Sequence, residues 1–130
     1  MIETHAGPAP LSKDMVRAGI VISALPALFM LLDAGIKLAR LPVVAEALTH
    51  LGYPAGLGFG FGVLTLVCTV LYIVPRTSIL GAVLLTGYLG GAVASHVRIG
   101  DPFYFPLIIG ALLWGGLYLR DQRLHAFLRA

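Results

Sequence analysis

The chain reads as an all-α integral membrane protein, a four-helix bundle with a short interfacial helix between the first and second spans. Three observations predict this class. Of the 130 residues, 58% are hydrophobic and only 12% are charged, and the mean hydropathy is +0.93. Soluble domains run near about 45–50% apolar and about 25% charged, so this chain has too few charges to clothe a water-soluble surface. The apolar residues also gather into four stretches, each long enough to cross a hydrocarbon core about 30 Å thick at about 1.5 Å rise per residue. Polar, Pro-containing breaks separate them, and one domain accounts for this length.

Residues 1–14 are polar and carry Pro8 and Pro10, which predicts a mobile lead. The pattern there is not secretory, because the first apolar run begins after Lys13 and is long enough to span. The first span covers about 15–39, with Arg17 at one interface. Pro26 lies inside it and frees the carbonyl of Ile22, a kink that membrane helices tolerate. Asp33 falls roughly 8 Å beyond the midplane at the helical rise, and Lys37 and Arg40 share its face at i+4 and i+7.

Residues 41–53 are too short and polar to span. Pro42 suits a first helical position, and Val43, Val44, Ala47, Leu48 and Leu51 repeat at helical spacing, so a short helix in the membrane interface is expected. The second span, about 54–74, opens with Gly56, Gly58, Gly60 and Gly62. No strand surrounds these glycines, so they are not a nucleotide fingerprint; glycines at i and i+4 let another helix come close. Pro75 ends this span, and Arg76 sits in a tight turn before the third span, about 77–98, with Thr77 as N-cap. The fourth span, about 103–119, is expected to start from Asp101 as cap and Pro102 at N1. The tail 120–130 is basic and amphipathic and is expected to rest on the membrane surface.

The charges bound the function. A pI near 9.4 suits anionic lipid headgroups, but no solvated basic domain exists to bind nucleic acid. The single cysteine, Cys68, excludes an internal disulfide and a CxxC pair. Its mid-span position predicts a buried, inert thiol. Lys13, Arg17, Arg76, Arg120, Arg123 and Arg129 fall on one side of a four-span topology, and Lys37, Arg40 and Arg98 on the other. That imbalance predicts both termini in the cytoplasm.

The segment Tyr72-Ile-Val-Pro-Arg-Thr-Ser-Ile-Leu-Gly-Ala-Val-Leu-Leu-Thr-Gly-Tyr-Leu-Gly-Gly-Ala-Val-Ala-Ser-His-Val-Arg-Ile-Gly-Asp101 resembles the signature of the DoxX-like family of small bacterial membrane proteins. The resemblance extends to Gly35-Ile-Lys37, His50-Leu-Gly-Tyr-Pro54 and Trp114-Gly-Gly-Leu-Tyr-Leu-Arg-Asp121, and covers most of 15–125. It implies a four-helix bundle in the bacterial inner membrane. Wider relatives of that family include the large subunit of an archaeal thiosulfate:quinone oxidoreductase and a membrane factor for methylamine dehydrogenase maturation. They imply redox work, a quinone as ligand and a redox partner protein.

Ionisable groups inside a membrane are costly and face a cavity or a partner. Asp33, Lys37, Arg40, His50, His96, Arg98 and Asp101 all fall on the outer half, which predicts a cavity with a polar outer mouth. Asp33 and Lys37 can satisfy each other at i,i+4. His96 and Arg98 lie about 200° apart on a regular helix, so at most one of them faces inward unless the helix unwinds before Gly100. The small-residue stripe of Gly87, Gly91 and Ala94 reads as the contact face of the third span. It favours Arg98, directed toward Asp33, over His96. Tyr88 and Trp114 are the deep aromatics able to stack on a flat ligand, whereas Tyr72 and Tyr118 fit an interfacial belt. His50 lies at the same mouth; two histidines without ligand spacing predict no metal site.

Three functions follow from this sequence. The first is a redox-associated subunit binding a quinone or similar lipophilic molecule through His96 or Arg98, with Lys37, Tyr88, Trp114 and His50 around it. The second is a non-redox membrane enzyme with Asp33 and His96 as acid and base. The third is a non-catalytic scaffold, for which the Gly87–Gly91 stripe would serve a homo-oligomer.

Overall fold

The computed structural model describes residues 10–129, so most of the polar lead expected over 1–14 lies outside the described residues. Helix α1 (Lys13–Leu38) starts at Ser12, whose Oγ accepts from the backbone N–H of Met15 at 3.1 Å. Such a cap satisfies one of the donors a helix start leaves unpaired. Pro26 lies buried inside it. Helix α2 (Pro42–His50) has Pro42 in its first turn. It is bracketed by two residues in the left-handed region, Arg40 at φ 58° and Gly52 at φ 89°. Helix α3 (Leu57–Ile73), a 3-10 turn (Pro75–Thr77), α4 (Ser78–Arg98), α5 (Tyr104–Arg120) and α6 (Gln122–Arg129) complete the chain. Among the described residues there is no strand.

Helices α1 and α4 each pack between α3 and α5, while α2 lies on α3 and α6 on α5. Close approach depends on glycine. A Cβ on Gly19 of α1 would stand 2.7 Å from the carbonyl oxygen of Gly116 and 2.8 Å from the Arg120 nitrogen, so α1 and α5 touch backbone to backbone. The i,i+4 glycines of the second apolar stretch act as their spacing suggested. Gly58 faces Val44 and Leu48 of α2, and Gly62 faces Lys37 and Leu38 of α1. The core among these helices includes Met30, Cys68, Tyr72, Leu85, Leu113 and Leu117, all buried.

The outward faces are apolar too. Ile20, Leu25, Leu28 and Leu32 on α1, Val63 and Val67 on α3, Leu80 and Val83 on α4, and Leu107 and Ile108 on α5 are all exposed. Helix α1 and the segment from Pro75 through α4 are long and apolar enough to cross a membrane, while α3 and α5 are apolar and 17 residues each.

Several expectations change. The stripe of Gly87, Gly91 and Ala94 is exposed, and a Cβ on Gly87 or Gly91 would meet nothing within 4 Å. The packed face of α4 is instead Ser78, Gly81, Ala82, Leu85, Leu89 and Ser95. A Cβ on Gly81 would collide with the backbone of Tyr72, which is why that face takes the close contact. The α5 cap differs as well. Asp101 and Pro102 precede the helix, Phe103 holds the cap position without a side-chain bond, and Asp101 is taken up by His50. Thr77 occupies the cap position of α4, but its hydroxyl donates to the carbonyl of Leu71 at 2.7 Å. Tyr72 is not in an interfacial belt but fully buried.

Candidate functional site

The C-terminal ends of α1 and α4, the N-terminal ends of α3 and α5, and all of α2 meet at one end of the molecule. Between them lies a recess of about 500 Å³, with Phe29, Met30, Val44, Leu48, Phe61 and Ile109 in its apolar wall. That is within the range of about 300–1,000 Å³ typical of small-molecule sites, which pair apolar walls with a few placed polar groups. The polar groups here are Asp33, Lys37, Tyr53, Tyr88, Ser95 and His96.

Lys37 is the centre of this set. Its Nζ donates to Asp33 Oδ2 at 2.6 Å and to the Tyr88 hydroxyl at 2.7 Å. The first bond follows from helical geometry, because i and i+4 share a face. The second joins α1 to α4 and fixes the phenol. Tyr88 thus accepts from an ammonium, and among the described residues its own proton has no acceptor. The phenol is a donor free to address a guest. Phe61 meets the rings of Tyr53 and Tyr88 edge-on at 5.5 and 6.4 Å.

His96 lies one turn from the end of α4, and its Nδ1 is 2.7 Å from the carbonyl oxygen of Ala92. A carbonyl only accepts, so Nδ1 carries a proton, and a ring with that single proton offers Nε2 as an acceptor. Beside it the Tyr53 and Ser95 hydroxyls are 2.7 Å apart, and Ser95 Oγ donates to the Gly91 carbonyl at 2.8 Å. Gly87 and Gly91 border the same recess, and their missing side chains leave it open.

Of the residues singled out from sequence, Asp33, Lys37, Tyr88 and His96 come together here. Arg98, His50 and Trp114 do not line the recess. Arg98 is not directed at Asp33, which is paired with Lys37; its guanidinium donates to the Leu51 carbonyl beside Gly52. Helix α4 stays regular through Arg98, and its packed face carries His96, not Arg98, to the recess. His50 is exposed, with Nε2 2.7 Å from Asp101 Oδ2. Trp114 donates from Nε1 to Thr86 Oγ1 at 2.6 Å and packs against the core. Tyr53 and Phe61 were missed, and Ser95, in the polar end of the third span, joins them at the recess. Ser95 was legible in principle, since it continues the packed spacing of Ser78, Ala82 and Leu85.

A second polar group, also missed, lies toward the other end. Arg120 donates from Nε to Ser23 Oγ at 2.9 Å and from Nη2 to the Tyr72 carbonyl at 3.3 Å, with its guanidinium 4.8 Å from the Tyr72 ring centre. The Tyr72 hydroxyl donates to the Leu113 carbonyl at 2.6 Å and is 3.0 Å from Ser23 Oγ. Farther on, Asp121 caps α6 by accepting from the Arg123 backbone N–H at 2.8 Å and pairs with its guanidinium at 2.7 Å. Burial alone would raise the Asp121 carboxyl, but the bonds from Arg123 and the nearby positive charge outweigh it and hold it below the ordinary carboxylate range.

The sequence profile of the DoxX-like family matches residues 21–116. The chain belongs to the DoxX-like family. It is therefore a DoxX-like membrane protein, and the matched region contains every polar group of the recess. It stops short of Arg120 and of α6. No curated protein and no solved structure matches the chain.

Proposed function

We propose that this DoxX-like protein crosses the membrane with four helices, has both termini in the cytoplasm, and serves as a redox-associated subunit. Its recess would hold a quinone or similar lipophilic molecule. Helices α3 and α5 are short but fall within the roughly 17–25 residues that spanning takes, and the exposed apolar faces of all four helices suit lipid. Arg17, Arg76, Arg120 and Arg123 at the end away from the recess favour a cytoplasmic assignment for that end.

The observation that carries the ligand reading is the pairing of a free phenol proton on Tyr88 with an imidazole acceptor on His96 in one largely apolar recess. A quinone carbonyl accepts from Tyr88, and the hydroxyl of its reduced form donates to His96 Nε2. The apolar walls suit a lipophilic ring and tail. Electrons would come from a redox partner protein. The acid–base alternative is less favoured, because the ammonium of Lys37 occupies the Asp33 carboxylate.

The test is mass spectrometry of the lipid extract from purified protein, followed by titration with ubiquinone and menaquinone. Stoichiometric quinone in the wild type is expected, with at least a tenfold loss of affinity in Tyr88→Phe and His96→Ala. Folded protein that neither carries nor takes up either quinone overturns the reading.

A further inference from the structure

The end of the molecule remote from the recess has a groove of about 560 Å³ that the proposed function does not use. One wall is the α1 face formed by Val16, Ile20, Ala24 and Leu28, and Tyr72 and Arg120 line the groove beside Ser23. From Val16 to Leu31 it follows α1 for about 22 Å at about 1.5 Å per residue. That exceeds half of a hydrocarbon core about 30 Å thick. The groove is thus a slot with an apolar wall and a cation part-way along it, because Arg120 donates to Ser23; from Ser23 to Leu31 it runs about 12 Å at about 1.5 Å per residue.

The cation is unusually well set. A guanidinium has five N–H donors. In Arg120 the Nε donor goes to Ser23, one Nη1 donor to Ser78 Oγ at 3.4 Å and one Nη2 donor to the Tyr72 carbonyl. The Tyr72 ring lies against the guanidinium plane. Two donors remain, one on each terminal nitrogen, and a guanidinium can give two N–H bonds to a phosphate. The side chain is already immobilised, so a ligand need not order it. Among the described residues no carboxylate forms an ion pair with Arg120, Arg17 or Arg76; Asp121 is engaged by Arg123. Arg120 is the charged residue lining the slot.

We propose that this groove binds one anionic phospholipid, with an acyl chain along Ala24, Leu28 and Leu31 and its phosphate on the two remaining N–H donors of Arg120. Charge complementarity selects the headgroup, and the depth of the slot selects a chain over a compact solute. A surface attraction would differ from this by being spread over all the exposed arginines.

Native mass spectrometry of the full chain tests it, with the protein drawn from nanodiscs of equal phosphatidylglycerol and phosphatidylcholine. One retained phosphatidylglycerol is expected. Arg120→Gln is expected to lower its retention roughly fivefold or more, the factor one basic residue contributes at an anionic surface. Ala24→Trp, which fills the slot and leaves the Arg120 bonds in place, gives a similar loss and keeps the test decisive if Arg120→Gln fails to fold. Arg76→Gln, outside the groove, leaves retention within twofold. Equal retention of the two lipids, full retention in Ala24→Trp, or an equal loss in Arg76→Gln overturns the proposal. So does displacement of the lipid by millimolar inorganic phosphate, which would reduce the site to a headgroup contact.

Discussion

Replacing Lys37 by Met keeps the length of the side chain and removes only the ammonium that holds Asp33 and Tyr88 together. At 2.6 Å the Coulomb attraction to Asp33 is roughly 6 kcal/mol for an effective dielectric constant of about 20, most of it offset by desolvation of the two groups. Removing one member of a fully buried pair costs about 3–5 kcal/mol, because the other charge is left without a partner. The Lys37 and Asp33 side chains are 13% and 24% exposed, so the low end applies, about 3 kcal/mol. Asp33→Asn should cost a similar amount by stranding the ammonium. The double variant removes both charges and should recover about 2 kcal/mol relative to the sum of the singles, well above the roughly 0.5 kcal/mol at which distant sites are additive. Chemical unfolding of the detergent-solubilised protein, followed by far-UV circular dichroism, measures all four corners of the cycle. Strict additivity, or a single-variant cost below about 0.5 kcal/mol, would show that the pair contributes nothing to the fold. The account of Tyr88 as a phenol positioned by Lys37 would fall with it.

Three further outcomes follow from features elsewhere. In Gly116→Ala the new methyl would meet the Ser23 nitrogen at 2.7 Å and the Gly19 carbonyl at 3.0 Å. The two backbones must then separate, and a loss of about 2–3 kcal/mol is expected in the same unfolding assay, within the overpacking range. The Thr65 hydroxyl is buried with no hydrogen-bond partner among the described residues. Thr65→Val should therefore be neutral or stabilising by about 1 kcal/mol, and a clear loss would expose a partner for that hydroxyl. Asp121 is held below the ordinary carboxylate range. Its contribution is present above the unfolded value, near about 3.9, and disappears as pH falls through the lower folded value. Asp121→Asn should flatten that acid limb of the stability curve and leave the neutral-pH shape of the curve unchanged; an unaltered acid limb refutes the assignment.

Much of the architecture was legible because membrane insertion imposes long apolar runs, and their number and breaks survive in the sequence. The i,i+4 pairing of Asp33 with Lys37 was legible for a similar local reason. What failed depended on which face of α4 turns inward. A stripe of small residues signals close packing only if another helix lies against it. Here Gly81, one turn into α4, makes the close contact, while Gly87 and Gly91 stand open beside the recess. The face that packs is therefore the one bearing His96, and Arg98 turns to the loop at Leu51. Tyr53 was not recoverable as a member of the site, since its contact with Ser95 spans 42 residues and no local period records it. Arg120 was read as a surface charge from its place at a span end. Only the crossing of α1 and α5 shows it turned toward Ser23.

That crossing bears on how the chain is made. Helix α1 leaves the ribosome before α5, and their contact joins Ser23 to Arg120 across 97 residues. At about 5–20 residues per second of synthesis, the two are at least roughly 5–20 s apart in time. For that interval the glycine seam of α1 and the Ser23 hydroxyl lack their α5 partners, and the first helix is held by its packing on α3 and by the Lys37 bond to Tyr88 of α4.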